Sequence, residues 1–152
     1  MKRLARSGRV VVFDGARALI YRNDATPPAL DLKLETSHGQ DNPPTREQGT
    51  DAPPRTNDSM GRRSAMEAPD YHQMAEDRFA REIAVNLAAD YANGAFTQAV
   101  IVAPPLALAQ FRKAMPPALR AAVVLEIDKD LTKHPPREIA LIIGKAREAG
   151  AA

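Results

Sequence analysis

Apolar residues in the first part of the chain follow patterns typical of β-strands. Residues 10–13 form a continuous apolar run, Asp14-Gly15 is a hairpin signal, and an extended pattern resumes over residues 16–21. Leucines at positions 30, 32 and 34 then alternate with charged residues, as in a strand with one buried face. The patterns predict three strands, of which the first two form an antiparallel hairpin.

The second half of the chain alternates helical and strand patterns. Phe79, Ile83, Leu87 and Tyr91 recur every four residues, which predicts one long amphipathic helix ending near Asn93-Gly94. The elements expected after it are a strand at 99–103, a helix from about 104 to 115, a strand at 123–127 and a helix from about 135 to 147. Because strands that alternate with helices form parallel crossovers, we predict an α/β fold with a mixed five-stranded sheet and three main helices.

The arrangement of the sheet follows from which strands are apolar throughout. The strands at 10–14 and 99–103 are both continuously apolar, so they are predicted to be central neighbours. The side chains predicted to be buried are Phe79, Ile83, Leu87, Val100, Ile101, Val124 and Ile142.

Residues 37–70 interrupt these regular patterns. The segment contains Pro43-Pro44, Pro53-Pro54 and Pro69, charges of both signs, and no Phe, Tyr or Trp. Such a composition cannot bury much apolar surface. We therefore predict a long disordered loop before the first helix, with residues 40–60 lacking regular structure.

Composition narrows the class of protein. A chain of 152 residues with 44% hydrophobic side chains predicts a single domain over residues 1–152. Its 21 basic and 19 acidic residues leave a net charge of +2, which predicts little general attraction to nucleic acid or to an anionic membrane, so any such binding must come from a local patch. No binding to DNA or to a membrane is expected. The apolar run at 10–13 is too short for an export signal, and no stretch approaches the roughly 20 apolar residues of a membrane helix. These features predict a cytoplasmic protein.

Four segments resemble a known bacterial family. They are Gly61–Glu67, Glu76–Ile83, Val102–Pro105 and Glu126–Thr132, and they resemble segments of the host-attachment family, described as proteins required for attachment to host cells. That family is similar to the central domain of archaeo-eukaryotic peptide-chain release factors. The resemblance implies a ribonuclease H-like sheet, a long loop before the long helix, and a role in translation.

In release factors the long loop carries a Gly-Gly-Gln motif, whose glutamine assists the hydrolysis of peptidyl-tRNA. This chain has no Gly-Gly-Gln, and its nearest approach is His38-Gly39-Gln40. The resemblance therefore offers Gln40 as a weak catalytic candidate only.

Positive charge in the same loop suggests a binding role. Arg55, Gly61, Arg62 and Arg63 precede the long helix, and such a segment could contact RNA phosphates through charge and backbone amides. The alternative is a solvated loop without a partner, because three acids at positions 58, 67 and 70 lie nearby.

Other kinds of chemistry find little support. A metal-dependent nuclease would gather Asp14, Glu126 and Asp128 around divalent ions, but Asp14 is explained more simply as a turn residue. The three histidines are far apart, the chain has no cysteine, and no nucleophile or phosphate-binding motif occurs. No metal, cofactor or catalytic apparatus is expected.

Several functional hypotheses remain open. The first is a noncatalytic binding factor, associated with the ribosome or RNA through residues 37–70. The alternative is a peptidyl-tRNA hydrolase that uses Gln40 to position water. A cell-surface attachment factor would take the family description literally, and the absence of an export signal counts against it.

Overall fold

The computed structural model describes residues 4–39 and 71–151 of the chain. Their elements, in chain order, are β1 (Arg9–Phe13), β2 (Arg17–Asn23), β3 (Leu32–Gly39), α1 (Tyr71–Ala92), β4 (Ala99–Ala103), α2 (Pro105–Ala114), α3 (Pro117–Ala122), β5 (Val123–Asp128) and α4 (Pro136–Ala151). Residues 40–70 lie outside the described residues. The predicted disorder of the loop concerns this segment and stays a prediction.

The strands form one mixed sheet in the order β3-β2-β1-β4-β5. β1 pairs antiparallel with β2 and parallel with β4, while β4 pairs parallel with β5. The predicted mixed five-stranded sheet is confirmed. The prediction that β1 and β4 are central neighbours is confirmed as well.

Both central strands are buried on their two faces. Val11 and Ile101 pack into a core with α1 and α2, whereas Val10 and Val100 pack into a second core with α4. Each fully buried aliphatic side chain of this kind stabilises the fold by roughly 1.5–3 kcal/mol. This two-sided burial explains why the two strands are apolar at every position rather than alternating.

The burial predictions hold except at two positions. Phe79, Ile83, Leu87, Val100 and Ile101 are buried as predicted, whereas Val124 and Ile142 are only half-buried. Val124 belongs to β5, an edge strand that has a neighbour on one side only. Ile142 lies about 100° around α4 from the buried Ile143, at the margin of the helix face that contacts the sheet.

The third strand differs from the prediction in position and length. It begins at Leu32 rather than Leu30, and it continues to Gly39. Residues 37–39, assigned to the loop from the sequence, pair with residues 17–19 of β2. Backbone hydrogen bonding to β2, and not hydrophobic alternation, therefore extends β3 through this polar stretch.

The expected burial of the leucine face of β3 is also wrong in part. Leu32 is 6% exposed, but Leu34 is 55% exposed. β3 is the outer strand of the sheet, and a bulge between Ile20 and Tyr21 shifts its register against β2. The bulge falls at Glu35, beyond Leu34, so the alternation from Leu32 to Leu34 is regular. Leu34 is exposed because it lies on an edge strand outside the core that Leu32 forms with α4.

The helices depart from the prediction at their ends. The sequence predicts no helix between those at 104–115 and 135–147, yet Pro117 begins α3, because proline is tolerated in a first helical turn. α4 extends to Ala151, beyond the expected end at Arg147. α1 ends at Ala92 as predicted, and Gly94 follows with a positive φ of 83° that glycine adopts without strain.

The two leucines of β3 allow a matched test of the core. We expect Leu32→Ala to lower the free energy of unfolding by about 2–5 kcal/mol, because it leaves a cavity beneath α4. Leu34→Ala, the control in the same strand, should change it by roughly 0.5 kcal/mol or less. Urea unfolding measures both values. Equal losses would show that Leu34 is buried in solution.

Candidate functional site

Several polar residues gather where the three parallel strands end. The carboxyl ends of parallel strands share one edge of a sheet, which is where open α/β proteins commonly bind ligands. We call this region the strand-carboxyl edge. Its described members include Asp14, Gly15, Pro104, Asp128, Asp130 and Thr132.

Asp14 closes the hairpin that follows β1. Its Oδ1 atom accepts the backbone N–H groups of Ala16 and Arg17, each at 2.8 Å. Its own N–H donates to the Arg17 carbonyl at 2.9 Å. These bonds agree with the interpretation of Asp14 as a turn residue.

Thr132 connects this hairpin to the segment after β5. The side chain is 4% exposed, and its hydroxyl oxygen lies 3.2 Å from Asp14 Oδ2 and 2.9 Å from Asp130 Oδ1. The hydroxyl has one proton, so it donates to one carboxylate at a time. The Thr132 N–H also donates to Asp130 Oδ1 at 3.2 Å. Asp14 is therefore held through Oδ1, while its Oδ2 shares the Thr132 hydroxyl with Asp130.

Glu126 is engaged elsewhere. Its Oε1 atom accepts from Arg112 Nε at 2.8 Å and lies 2.6 Å from Arg112 Nη2. Within residues 4–39 and 71–151, no group of three or more Asp, Glu or His side chains could hold a metal ion. The structure thus does not bring Asp14, Glu126 and Asp128 together, as the nuclease hypothesis would require.

A small cavity of about 340 Å³ lies between the starts of α1 and α2. A Cβ atom on Gly15 would lie 2.5 Å from Glu76 Cγ and Cδ, so the glycine allows α1 to approach the β1–β2 turn closely. Gln73 Nε2 donates to Asp77 Oδ1 at 2.7 Å in the wall of the cavity. Leu106, also in the lining, is 67% exposed. The cavity thus combines carboxylates with an apolar surface.

The residues singled out from the sequence divide into two groups. His38 and Gly39 lie in β3, paired with Ala18 and Arg17 of β2. Gln40, Arg55, Gly61, Arg62 and Arg63 lie outside the described residues. His134 contacts Glu138 at 2.9 Å on the surface of the protein.

The resolved pKa shifts belong to the other end of the sheet. A hydrogen bond from Arg22 lowers the pKa of Asp24, and the same bond raises the pKa of Arg22. Burial raises the pKa of Tyr21. These shifts arise from ion pairing and packing in β2 and do not mark a reactive group at the strand-carboxyl edge.

Thr132 is the site residue that sequence reasoning missed. The resemblance included Glu126–Thr132, but no role was assigned to Thr132. Its contact with Asp14 joins residues 118 positions apart. No local spacing pattern can indicate such a contact.

The fold and the site define a single-sheet α/β protein whose principal edge carboxylates are engaged in internal contacts. A model of the family described as "Protein required for attachment to host cells" matches residues 9–143, and the chain belongs to that family. No curated protein matches the chain. None of the helices among the described residues is long and apolar enough to span a membrane.

The contact between Thr132 and the two aspartates can be tested by removing its hydroxyl. We expect Thr132→Val to lower the free energy of unfolding by about 1–3 kcal/mol, because it removes a buried donor to a carboxylate. Thr132→Ser retains the hydroxyl and should lose less than the valine variant. Urea denaturation compares the two proteins. A valine variant as stable as the wild type would mean that the hydroxyl contributes nothing to the fold.

Proposed function

We propose that this member of the family is a noncatalytic binding factor whose partner is RNA, such as the RNA of the ribosome. The proposed contact surface is the strand-carboxyl edge together with the segment between β3 and α1. Arg55, Gly61, Arg62 and Arg63 of that segment are the proposed contact residues.

The engagement of Asp14 supports a noncatalytic role. Asp14 accepts two backbone N–H groups through Oδ1, as a residue that closes a turn does, and its Oδ2 shares the Thr132 hydroxyl with Asp130. Glu126 is paired with Arg112. Both carboxylates thus have structural partners within the protein.

The positions of the described chain ends support the choice of surface. β3 ends at Gly39, opposite Arg17, and Glu76 in the second turn of α1 packs against Gly15. Both ends of the intervening segment are therefore attached at the strand-carboxyl edge. The arginines at positions 55, 62 and 63 belong to a segment anchored there.

Exposed cations of the described chain add to this surface. Arg17, Lys129 and Lys133 are exposed in the turns that follow β1 and β5. None of the ion pairs found among the described residues involves them. Unpaired cations on a surface attract phosphate groups and release counterions when they bind.

Co-sedimentation with ribosomal subunits tests this proposal. We expect wild-type protein to sediment with subunits at low salt and to dissociate as salt is raised. Arg62→Ala combined with Arg63→Ala should weaken binding and reduce the slope of log affinity against log salt by roughly 1.5–2, since two phosphate contacts are lost.

The matched control is Lys33→Ala combined with Lys113→Ala. It removes the same charge from exposed positions at the start of β3 and the end of α2, toward the opposite end of the sheet. This control should keep most of its binding. Equal loss in both double variants would indicate nonspecific attraction, and no sedimentation of the wild type would refute the proposed partner.

Gln40 separates binding from peptidyl-tRNA hydrolysis. Under the binding proposal, Gln40→Ala leaves co-sedimentation unchanged, because a neutral side chain releases no counterions. A hydrolase would instead lose turnover far more than binding, as expected of a group that acts mainly in the transition state. Release of labelled nascent peptide from stalled ribosomes measures turnover. Release by the wild type that Gln40→Ala abolishes would establish the enzyme.

A further inference from the structure

An open groove lies on the face of the sheet opposite α1 and α2. It has a volume of about 1240 Å³ and runs between α4 and the segment that leads into β3. Leu30, Leu32 and Ala140 contribute to its apolar lining, as does Leu141, which is 61% exposed. Small-molecule pockets usually measure roughly 300–1000 Å³. The size and apolar lining of this groove therefore suit an extended peptide better than a small ligand.

Arg147 leaves a donor unused in this groove. Its Nη2 atom donates to the Pro28 carbonyl at 3.2 Å. Its Nη1 atom is buried and has no hydrogen-bond partner among the described residues. A buried donor without an acceptor costs about 1–3 kcal/mol, and more when it is charged. A carboxylate is the acceptor whose geometry best matches a guanidinium group.

The remaining charged residues of the groove lining are two cations and two acids, and only the acids have ion partners among the described residues. Arg137 and Lys145 also line it, and neither takes part in the ion pairs found among the described residues. The two acids in the lining, Asp31 and Glu138, lie 3.7 Å from Lys33 Nζ and 2.9 Å from His134 Nδ1. The cations without partners thus favour an acidic occupant.

Gly144 keeps part of the groove open. It lies within α4, where glycine is less stable than alanine by roughly 0.5–1 kcal/mol. A Cβ atom at this position would meet nothing within 4 Å. The packing of the protein itself therefore does not require glycine here. Its absent side chain leaves room for another backbone to approach α4.

We propose that this groove binds an extended peptide of a partner protein, with Asp or Glu placed among apolar residues. The guanidinium group of Arg147, which lines the groove, rotates so that its buried Nη1 donates to a peptide carboxylate, and apolar side chains pack against Leu30 and Leu141. RNA fits the groove less well because much of its lining is apolar and includes two carboxylates. The groove uses different residues from the strand-carboxyl edge and constitutes a second binding surface.

Selection from a displayed library of random peptides on the wild-type protein tests this inference. We expect enriched sequences to combine acidic with apolar residues. One enriched peptide is then synthesised together with its neutral counterpart, in which Asn and Gln replace Asp and Glu. Fluorescence polarisation should show at least about tenfold weaker binding of the neutral peptide, which is the loss expected for one charge-assisted hydrogen bond. NMR shift changes should cluster in residues 28–34 and 135–147.

Two variants test the groove from independent directions. Arg147→Gln should weaken binding of the acidic peptide about tenfold or more and should change binding of the neutral peptide little. Gly144→Leu should fill the groove and abolish binding without lowering the melting temperature, because leucine is the better helix former. Lys113→Ala, which removes one exposed charge at the end of α2, is the control and should bind normally.

Several results of these experiments would overturn the proposed peptide site. A selection that enriches no sequence, or equal affinity for the acidic and neutral peptides, would overturn it. So would full binding by Gly144→Leu, or shift changes confined to another face. Binding of an oligouridylate probe in the same groove, lost in Arg147→Gln, would identify a phosphate site in place of a peptide site.

Discussion

The parallel pairing of β1 with β4 is the constraint on which the rest of the structure depends. Val10–Val12 face Val100–Val102 in register, and these side chains are inaccessible to solvent on both faces of the sheet. Two buried faces require two covering layers, which α1 and α2 provide on one side and α4 on the other. Because the strands are parallel, the chain must cross between them, and their carboxyl ends must meet at one edge.

That alignment also determines what the strand-carboxyl edge can do. It brings Asp14, at the end of β1, to Thr132, beyond the end of β5. Contacts made at this point join two distant parts of the chain. In the proposed function, the exposed cations beside this edge contact RNA together with the arginines of the segment between β3 and α1.

The groove beside α4 shows a different relation between stability and function. In the two cores, nearly every large apolar side chain contributes to packing, and the local pattern agrees with the fold. In the groove, by contrast, a Cβ atom on the helical Gly144 would contact none of the described residues, and a buried guanidinium nitrogen has no acceptor among them. Local costs without compensation inside the fold are expected at functional sites. They therefore point to an occupant that supplies the missing contacts.

The sequence by itself determined the order of the main elements, the central position of β1 and β4, and most of the core, because hydrophobic periodicity directly reports which faces are buried. It also carried the family resemblance, since Glu76–Ile83 and the other segments that resemble the family are contiguous stretches of the chain. It did not determine that Leu34 would be exposed while Leu32 is buried, because both lie on one face of a regular stretch of β3 and only the packing of Leu32 into the core with α4 separates them. Only the tertiary structure brought Thr132 to Asp14 and Arg147 to Pro28, 119 residues apart, since such contacts arise from the packing of whole elements and leave no trace in local spacing.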